Sequence, residues 1–206
     1  MYELFGWKLT GSLAIEAALT EAGADFKITP VNLKAGETRT EAFTAINPRQ
    51  QIPALRLPDG SVMTEGAAIL LHIADAFPDM RLAPVPGSPE RGQHDRWLFF
   101  MAVNVYEGEL RKLNPGRYTI DESGAEAVQK AANAYVDRHY EILNEQIKNG
   151  PYVLGGNFTV LDIYIWMLAQ WMDQEWLTAE CPKIKQLADT VAQRPKIAPV
   201  HTYHFG

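Results

Sequence analysis

"QQIPALRLPDGSVMTEGAAIL", residues 50–70, holds the punctuation that parses the rest of the chain. Pro58-Asp59-Gly60 is turn chemistry between two short apolar runs, "PALRL" and "SVMT", and predicts a β-hairpin. Pro53 stands at the front of the first strand, where a sheet wants a backbone donor. An X-Pro bond tolerates the cis form far better than other peptide bonds. With Ile52–Pro53 cis, the N–H and C=O of Ile52 face outward and can pair with an extended peptide as an added strand would. With it trans, Pro53 merely begins an edge strand. Behind the hairpin, Glu65 and Gly66 open an apolar helix, "GAAILLHIADAF" (66–77). Free amides and the dipole at a helix start favour an anion, and Gly66 lets a ligand approach the backbone. Glu65 beside them could hold an ammonium, so that the pair reads an α-amino-acid end. The competing reading is that Thr64 or Glu65 caps the helix.

Upstream, "YELFGW" (2–7) reads as a strand. "SLAIEAALTEAG" (12–23) reads as a helix with Ser12 as N-cap and Gly23 as its stop. "DFKITPVNL" (25–33) alternates like a strand, its Pro30 suggesting an edge or an end. "TEAFTAINP" (40–48) makes a short helix that Pro48 terminates. The order β-α-β-α-β-β-α predicts an α/β domain with a mixed sheet over residues 1–78. "PDMRLAPVPGSPE" (78–90), with four prolines, predicts a linker over 79–89. Beyond it the periodicity is helical throughout: 91–113, 123–149, 159–174 and 182–193. An all-α domain is therefore expected over 90–206. His201 and His204 are spaced H-x-x-H without a third ligand or a helical frame, so no metal site is expected.

The 206 residues are 47% hydrophobic and 21% charged, the ordinary profile of a globular protein. A net charge of −6 argues against a nucleic-acid partner. No run of eighteen apolar residues exists, so no membrane span is predicted. "MYELFGWK" lacks a basic segment followed by an apolar one, and the single cysteine, Cys181, permits no internal disulfide. Both point to a cytoplasmic protein.

"NPRQQIPALRLPDGSVMTEGAAILLHIAD" (47–75) resembles the core of the cytosolic glutathione transferases: asparagine-proline, an apolar residue, cis-proline, then glutamate and serine or glycine opening a helix. "YVLGGNFTVLDIYIW" (152–166) is similar to their second signature, in which Thr159 and Asp162 form a capping arrangement, with Phe158 and Ile163 as a hydrophobic staple. The resemblance covers essentially the whole chain. It implies a thioredoxin-like N-terminal domain (βαβαββα), an all-helical C-terminal domain, glutathione as cosubstrate, a homodimer and no metal. Carried over, Ile52 would pair its backbone with the cysteinyl part of glutathione beside cis-Pro53. Glu65 and Gly66 would hold the γ-glutamyl end, Gln51 would reach the remaining backbone or the glycine end, and Lys34 the glycine carboxylate.

The family's catalytic group lies near the end of the first strand. "GWKLTGSLAIEAAL" most resembles the bacterial beta class, with Gly11 in the place of that class's cysteine and Ser12 matching its serine. No tyrosine follows Tyr2 until Tyr106, so the hydroxyl candidates are Ser12 and Thr10. Trp7 would wall a pocket for an apolar electrophile. Tyr106, with Phe99 and Asn104, falls where the family places its electrophile site and dimer contacts. The expected function is conjugation of glutathione to a small, largely apolar electrophile. The alternative is a non-catalytic binding or partner module of the same fold. Disulfide exchange is disfavoured for want of a cysteine near residue 10, and the serine–serine–cysteine–serine pattern of the zeta-type isomerases is absent from "KLTGSLA".

Overall fold

Strand β1 (Tyr2–Gly6) organises the first part of the chain. It pairs in parallel with β2 (Phe26–Pro30), Tyr2 opposite Phe26, and antiparallel with β3 (Ala54–Arg56), Phe5 opposite Ala54. Strand β4 (Val62–Met63) completes the hairpin on β3, giving the order β2-β1-β3-β4. Pro30 therefore ends an edge strand, where its missing donor costs no ladder bond. The computed structural model describes residues 1–147 and 150–206.

Helix α1 (Ser12–Ala22) carries the chain from β1 to β2 and stops at Gly23, whose φ of 67° suits a glycine. Helix α2 (Glu41–Ile46) starts where the Thr40 hydroxyl accepts from the Phe43 amide at 3.2 Å. Helix α3 (Gly66–Ala76) follows the hairpin. Alternation along β1 sends Phe5 toward Phe43 of α2, ring centroids 6.3 Å apart. Gly6 instead faces α1. Leu13, Leu19, Ile69, Leu70 and Ile73, from α1 and α3, are fully buried. This is a thioredoxin-like arrangement, and a helical region follows it.

The chain divides into two compact units, and residues 84–190 form the second. Its first helix, α4 (Pro89–Phe100), is capped by Ser88, whose hydroxyl accepts from the Arg91 amide. The long helix expected over 91–113 is interrupted. A π-helical turn, Met101–Tyr106, separates α4 from α5 (Glu107–Leu113). Helix α6 spans Ala125–Gln146, and residues 148 and 149, with which the expected helix ended, lie outside the described residues. Helix α7 (Val160–Ala169) is buried on every side, as an apolar helix must be. The segment expected to continue it to 174 breaks because Asp173 Oδ1 accepts from the Glu175 and Trp176 amides. Asp173 thereby starts a separate α8 (Gln174–Glu180). Helix α9 spans Pro182–Ala192.

Residues 191–206 group with the first unit, so its sequence is discontinuous, whereas 90–206 was expected to form one helical domain. They contain α10 (Ile197–Phe205), with Pro199 in its first turn, where the missing N–H costs nothing. His201 and His204 thus do share a helix, contrary to the sequence expectation. Arg194 Nε and Nη2 meet Glu21 of α1 at 2.7 and 3.2 Å, and Lys196 Nζ donates to the Glu21 carbonyl at 2.9 Å. Among the described residues, no cluster of three or more His, Cys, Asp or Glu side chains could hold a metal ion. Among the same residues, no helix is long and apolar enough to cross a membrane.

Candidate functional site

Three loops of the first unit come together around the end of β1. The loop 47–53 is shaped by Asn47, whose side chain is buried at the end of α2. Its Nδ2 donates to the Gln51 carbonyl at 2.6 Å, its Oδ1 accepts from the Arg49 amide at 3.0 Å, and its carbonyl accepts from the Gln50 amide at 2.8 Å. This spends the carbonyl of Gln51, whose side chain is half-buried. The Ile52–Pro53 bond is cis. The Ile52 side chain is anchored among Phe5, Val31, Phe43 and Ala54, with Trp7 packed against the same cluster. Its amide and carbonyl have no partner among the described residues. A buried side chain with an unpaired backbone is the edge that an extended peptide can join.

Glu65 precedes α3 with φ 65° and makes no capping hydrogen bond, so the capping alternative for this residue falls. Its carboxylate is 59% exposed and meets Arg49 Nη1 at 2.5 Å, tying this loop to the previous one. The start of α3, with half-buried Gly66, is thus left without a side-chain acceptor. Lys34 is exposed on a turn that Asn32 Oδ1 holds through the amides of residues 34 and 35.

In the third loop, Ser12 is not the N-cap of α1. Gly11 holds that position and Ser12 is the first helical residue. Its buried hydroxyl accepts from the Trp7 amide at 3.1 Å and donates to the Trp7 carbonyl at 3.0 Å. Thr10 Oγ1 donates to that same carbonyl at 2.8 Å and lies 2.9 Å from Ser12 Oγ. A methyl group on Gly6 would come within 2.5 Å of Ser12 Cβ, so this tuck requires a glycine there. Ser12 is almost fully buried while Thr10 is half-exposed. The amides of Thr10 and Gly11 have no partner among the described residues.

Leu9, Gln50 and Glu65 have φ of 62°, 56° and 65°, one in each loop. A side chain in that region costs about 1–3 kcal/mol and persists only where its surroundings impose it, a pattern that clusters at functional sites. Tyr106 lies in the second unit, at the end of the π-helical turn. Its ring stacks on Tyr164 (6.1 Å, 11°) and meets Trp171 edge-on at 5.4 Å. Asn104 Oδ1 accepts from the Tyr135 hydroxyl at 2.6 Å, and Phe99 is exposed. Burial, reinforced by the carboxylates of Glu141, Glu180 and Asp137, pushes the Cys181 thiol up to about 12. The arrangement can therefore bind a peptide backbone, an ammonium and an anion, and it offers a hydroxyl and open amides to a sulfur. No cysteine lies among these loops, the single one being Cys181. Sequence reasoning overlooked the roles of Asn47, Arg49 and Gly6, and of these only the asparagine-proline pair carried a local signal.

A family model described as the glutathione S-transferase N-terminal domain matches residues 12–76, and one for the C-terminal domain of the same family matches residues 112–200. The chain is 33% identical over 203 residues to the uncharacterized GST-like protein YncG of Escherichia coli K12, covering 97% of this chain and 95% of the relative. It superposes on the crystal structure of a glutathione transferase homolog from Sulfitobacter with bound glutathione, with a TM-score of 0.90, 27% identity and 98% of each chain covered. A bacterial beta class glutathione S-transferase from Sphingomonas chungbukensis gives a TM-score of 0.81 at 30% identity, again over 98% of each chain.

Proposed function

Because the chain belongs to the glutathione S-transferase family, we propose that it binds glutathione along the 47–53 loop and conjugates its sulfur to a small, largely apolar electrophile. The observation that carries this reading is the unpaired backbone of Ile52 beside an exposed, uncapping Glu65. The cysteinyl part pairs with the Ile52 amide and carbonyl. The γ-glutamyl carboxylate sits on the open amides of α3 while its ammonium meets Glu65. Gln51 and Lys34 face the glycine end. Homodimer formation and cytoplasmic residence belong to the same reading.

The enzyme's task is to favour thiolate over thiol. A free thiol has a pKa of about 8.5, and lowering it by two units needs roughly 2.7 kcal/mol. One hydrogen bond to a charged acceptor contributes about 1.5–3 kcal/mol, and the N-terminus of a helix about 0.3–1 kcal/mol. Thr10 Oγ1, with the amides of Thr10 and Gly11 at the start of α1, can therefore suffice without a general base. Ser12 supports them by holding the Trp7 peptide. Bringing the thiolate to an electrophile resting on Trp7 does the remainder by proximity.

A second reading, a non-catalytic module that still binds glutathione, is favoured by one observation: both hydroxyls already donate to the Trp7 carbonyl. A calorimetric titration with glutathione, paired with ultraviolet detection of bound thiolate near neutral pH, separates the two. Binding with a thiolate signal, followed by turnover of an aryl halide, is the expected result. Binding without thiolate selects the module, and an absence of binding sinks both readings.

A further inference from the structure

We propose that His204 of α10 is a positioning residue that fixes the loop carrying Thr10. The geometry stands by itself, while its catalytic consequence rests on the glutathione-transferase reading above. His204 is 4% exposed. Its Nδ1 lies 3.1 Å from the Leu9 amide nitrogen and its Nε2 lies 2.9 Å from Glu16 Oε2 on α1. A backbone N–H can only donate, so Nδ1 carries no proton and the ring proton sits on Nε2, directed at the carboxylate. Glu16 thus selects the tautomer that leaves Nδ1 able to accept.

The Leu9 peptide needs such a partner. Leu9 is 48% exposed, its φ is 62°, and the other hydrogen bonds of the loop hold Trp7, Ser12 and Leu13 instead. Within the turn at Lys8 and Leu9, no group of the loop itself accepts from the amide that precedes Thr10. The partner comes from the other end of the chain, 195 residues away. The ring itself is wedged against Tyr203 edge-on at 5.1 Å. Lys8, the residue before Leu9, lies over the Tyr203 ring at 5.3 Å. Next to these contacts lies a cavity of about 600 Å³, lined in part by Lys8, Ser12, Glu16 and His204. A loop freed at this point moves the Thr10 hydroxyl relative to a bound sulfur, and small misplacements of this kind are costly.

Two substitutions separate positioning from mere support. His204→Asn keeps an oxygen acceptor near the place of Nδ1 and loses the donor to Glu16. His204→Gln reaches the place of Nε2 and leaves the Leu9 amide without an acceptor. Amide hydrogen exchange at Leu9 is read together with the kinetics of glutathione conjugation. For His204→Gln, Leu9 exchange should quicken by about a hundredfold and kcat fall about tenfold, with KM for glutathione within about twofold. For His204→Asn, both should stay within about threefold of the unsubstituted protein. Equal behaviour of the two variants, with losses that follow their melting temperatures, would overturn the proposal, as would unchanged Leu9 exchange in His204→Gln. Should His204→Gln fail to fold, Glu16→Ala reads the same amide with α10 intact. A quickening of about threefold or more supports the proposal, and none overturns it. If the unsubstituted protein binds no glutathione, the proposed function fails while Leu9 exchange still decides the positioning.

Discussion

Glu65 stands at the start of α3 in a backbone conformation that a glycine would adopt freely, and its carboxylate leaves the helix uncapped. Retaining a side chain there costs about 1–3 kcal/mol. Glu65→Gly should therefore raise the melting temperature, by about 1 kcal/mol of stability, while weakening glutathione binding at least about tenfold. Calorimetry of unfolding and of binding measures both, and a variant that loses stability would show that no strain resides at this residue. A parallel contrast separates Thr10 from Ser12. Thr10→Val should raise the pKa of bound glutathione by about one unit at nearly constant stability. Ser12→Ala strands the Trp7 amide and should cost about 1–3 kcal/mol, measured by denaturant titration. Equal thiol shifts in the two variants would return the sulfur to Ser12. The cis bond after Ile52 and the start of α3 at Gly66 were legible because their signals are local: a proline after an apolar residue, an acid and a glycine before a helix. The hydrogen bonding of Ser12 to the Trp7 peptide was not legible, since it depends on Leu9 turning the loop so that residue 12 comes back under residue 7.

Helix α7 begins at Thr159, whose amide donates to Asp162 Oδ2 at 2.8 Å and whose hydroxyl meets the same oxygen at 3.0 Å. Asp162 Oδ1 accepts from the Val153 amide at 3.0 Å. Burial nevertheless dominates and pushes this carboxyl up to about 6, those donors opposing it. The folded chain then holds a proton on Asp162 that the unfolded chain releases near pH 4. Between about pH 4 and 6 the folded state binds more protons, so the contribution of Asp162 to stability falls as pH rises through that window and is flat above it. Urea denaturation across pH should show this slope in the unsubstituted protein and not in Asp162→Asn. A stability difference independent of pH would mean that the donors fully offset burial. The capping arrangement was readable because its residues are three apart. The π-helical turn at Met101–Tyr106 was not, because an i→i+5 turn shifts the apolar periodicity by only about one residue. Helix α10 was missed for a different reason: its partners, Glu16 and Leu9, are remote in sequence.

Across the molecule, the one cysteine is a gauge rather than a reagent. Cys181 is fully buried, with its thiol pushed up to about 12, and only the thiolate reacts. A thiol reagent at pH 8 should leave the folded protein unmodified and label it at the rate of global opening, accelerated by urea. Stoichiometric labelling without denaturant would show that this core opens locally. The division of the chain into 1–83 plus 191–206 around 84–190 bears on something else, the order of synthesis. Ribosomes add about 5–20 residues per second, so Leu9 emerges roughly ten to forty seconds before His204 does. Sheet, hairpin and helical unit are all translated while the Thr10 loop still lacks its acceptor. A nascent chain stalled or cut short before His204 would carry all the described strands and the helices before α10. Its Thr10 loop would still lack the His204 acceptor.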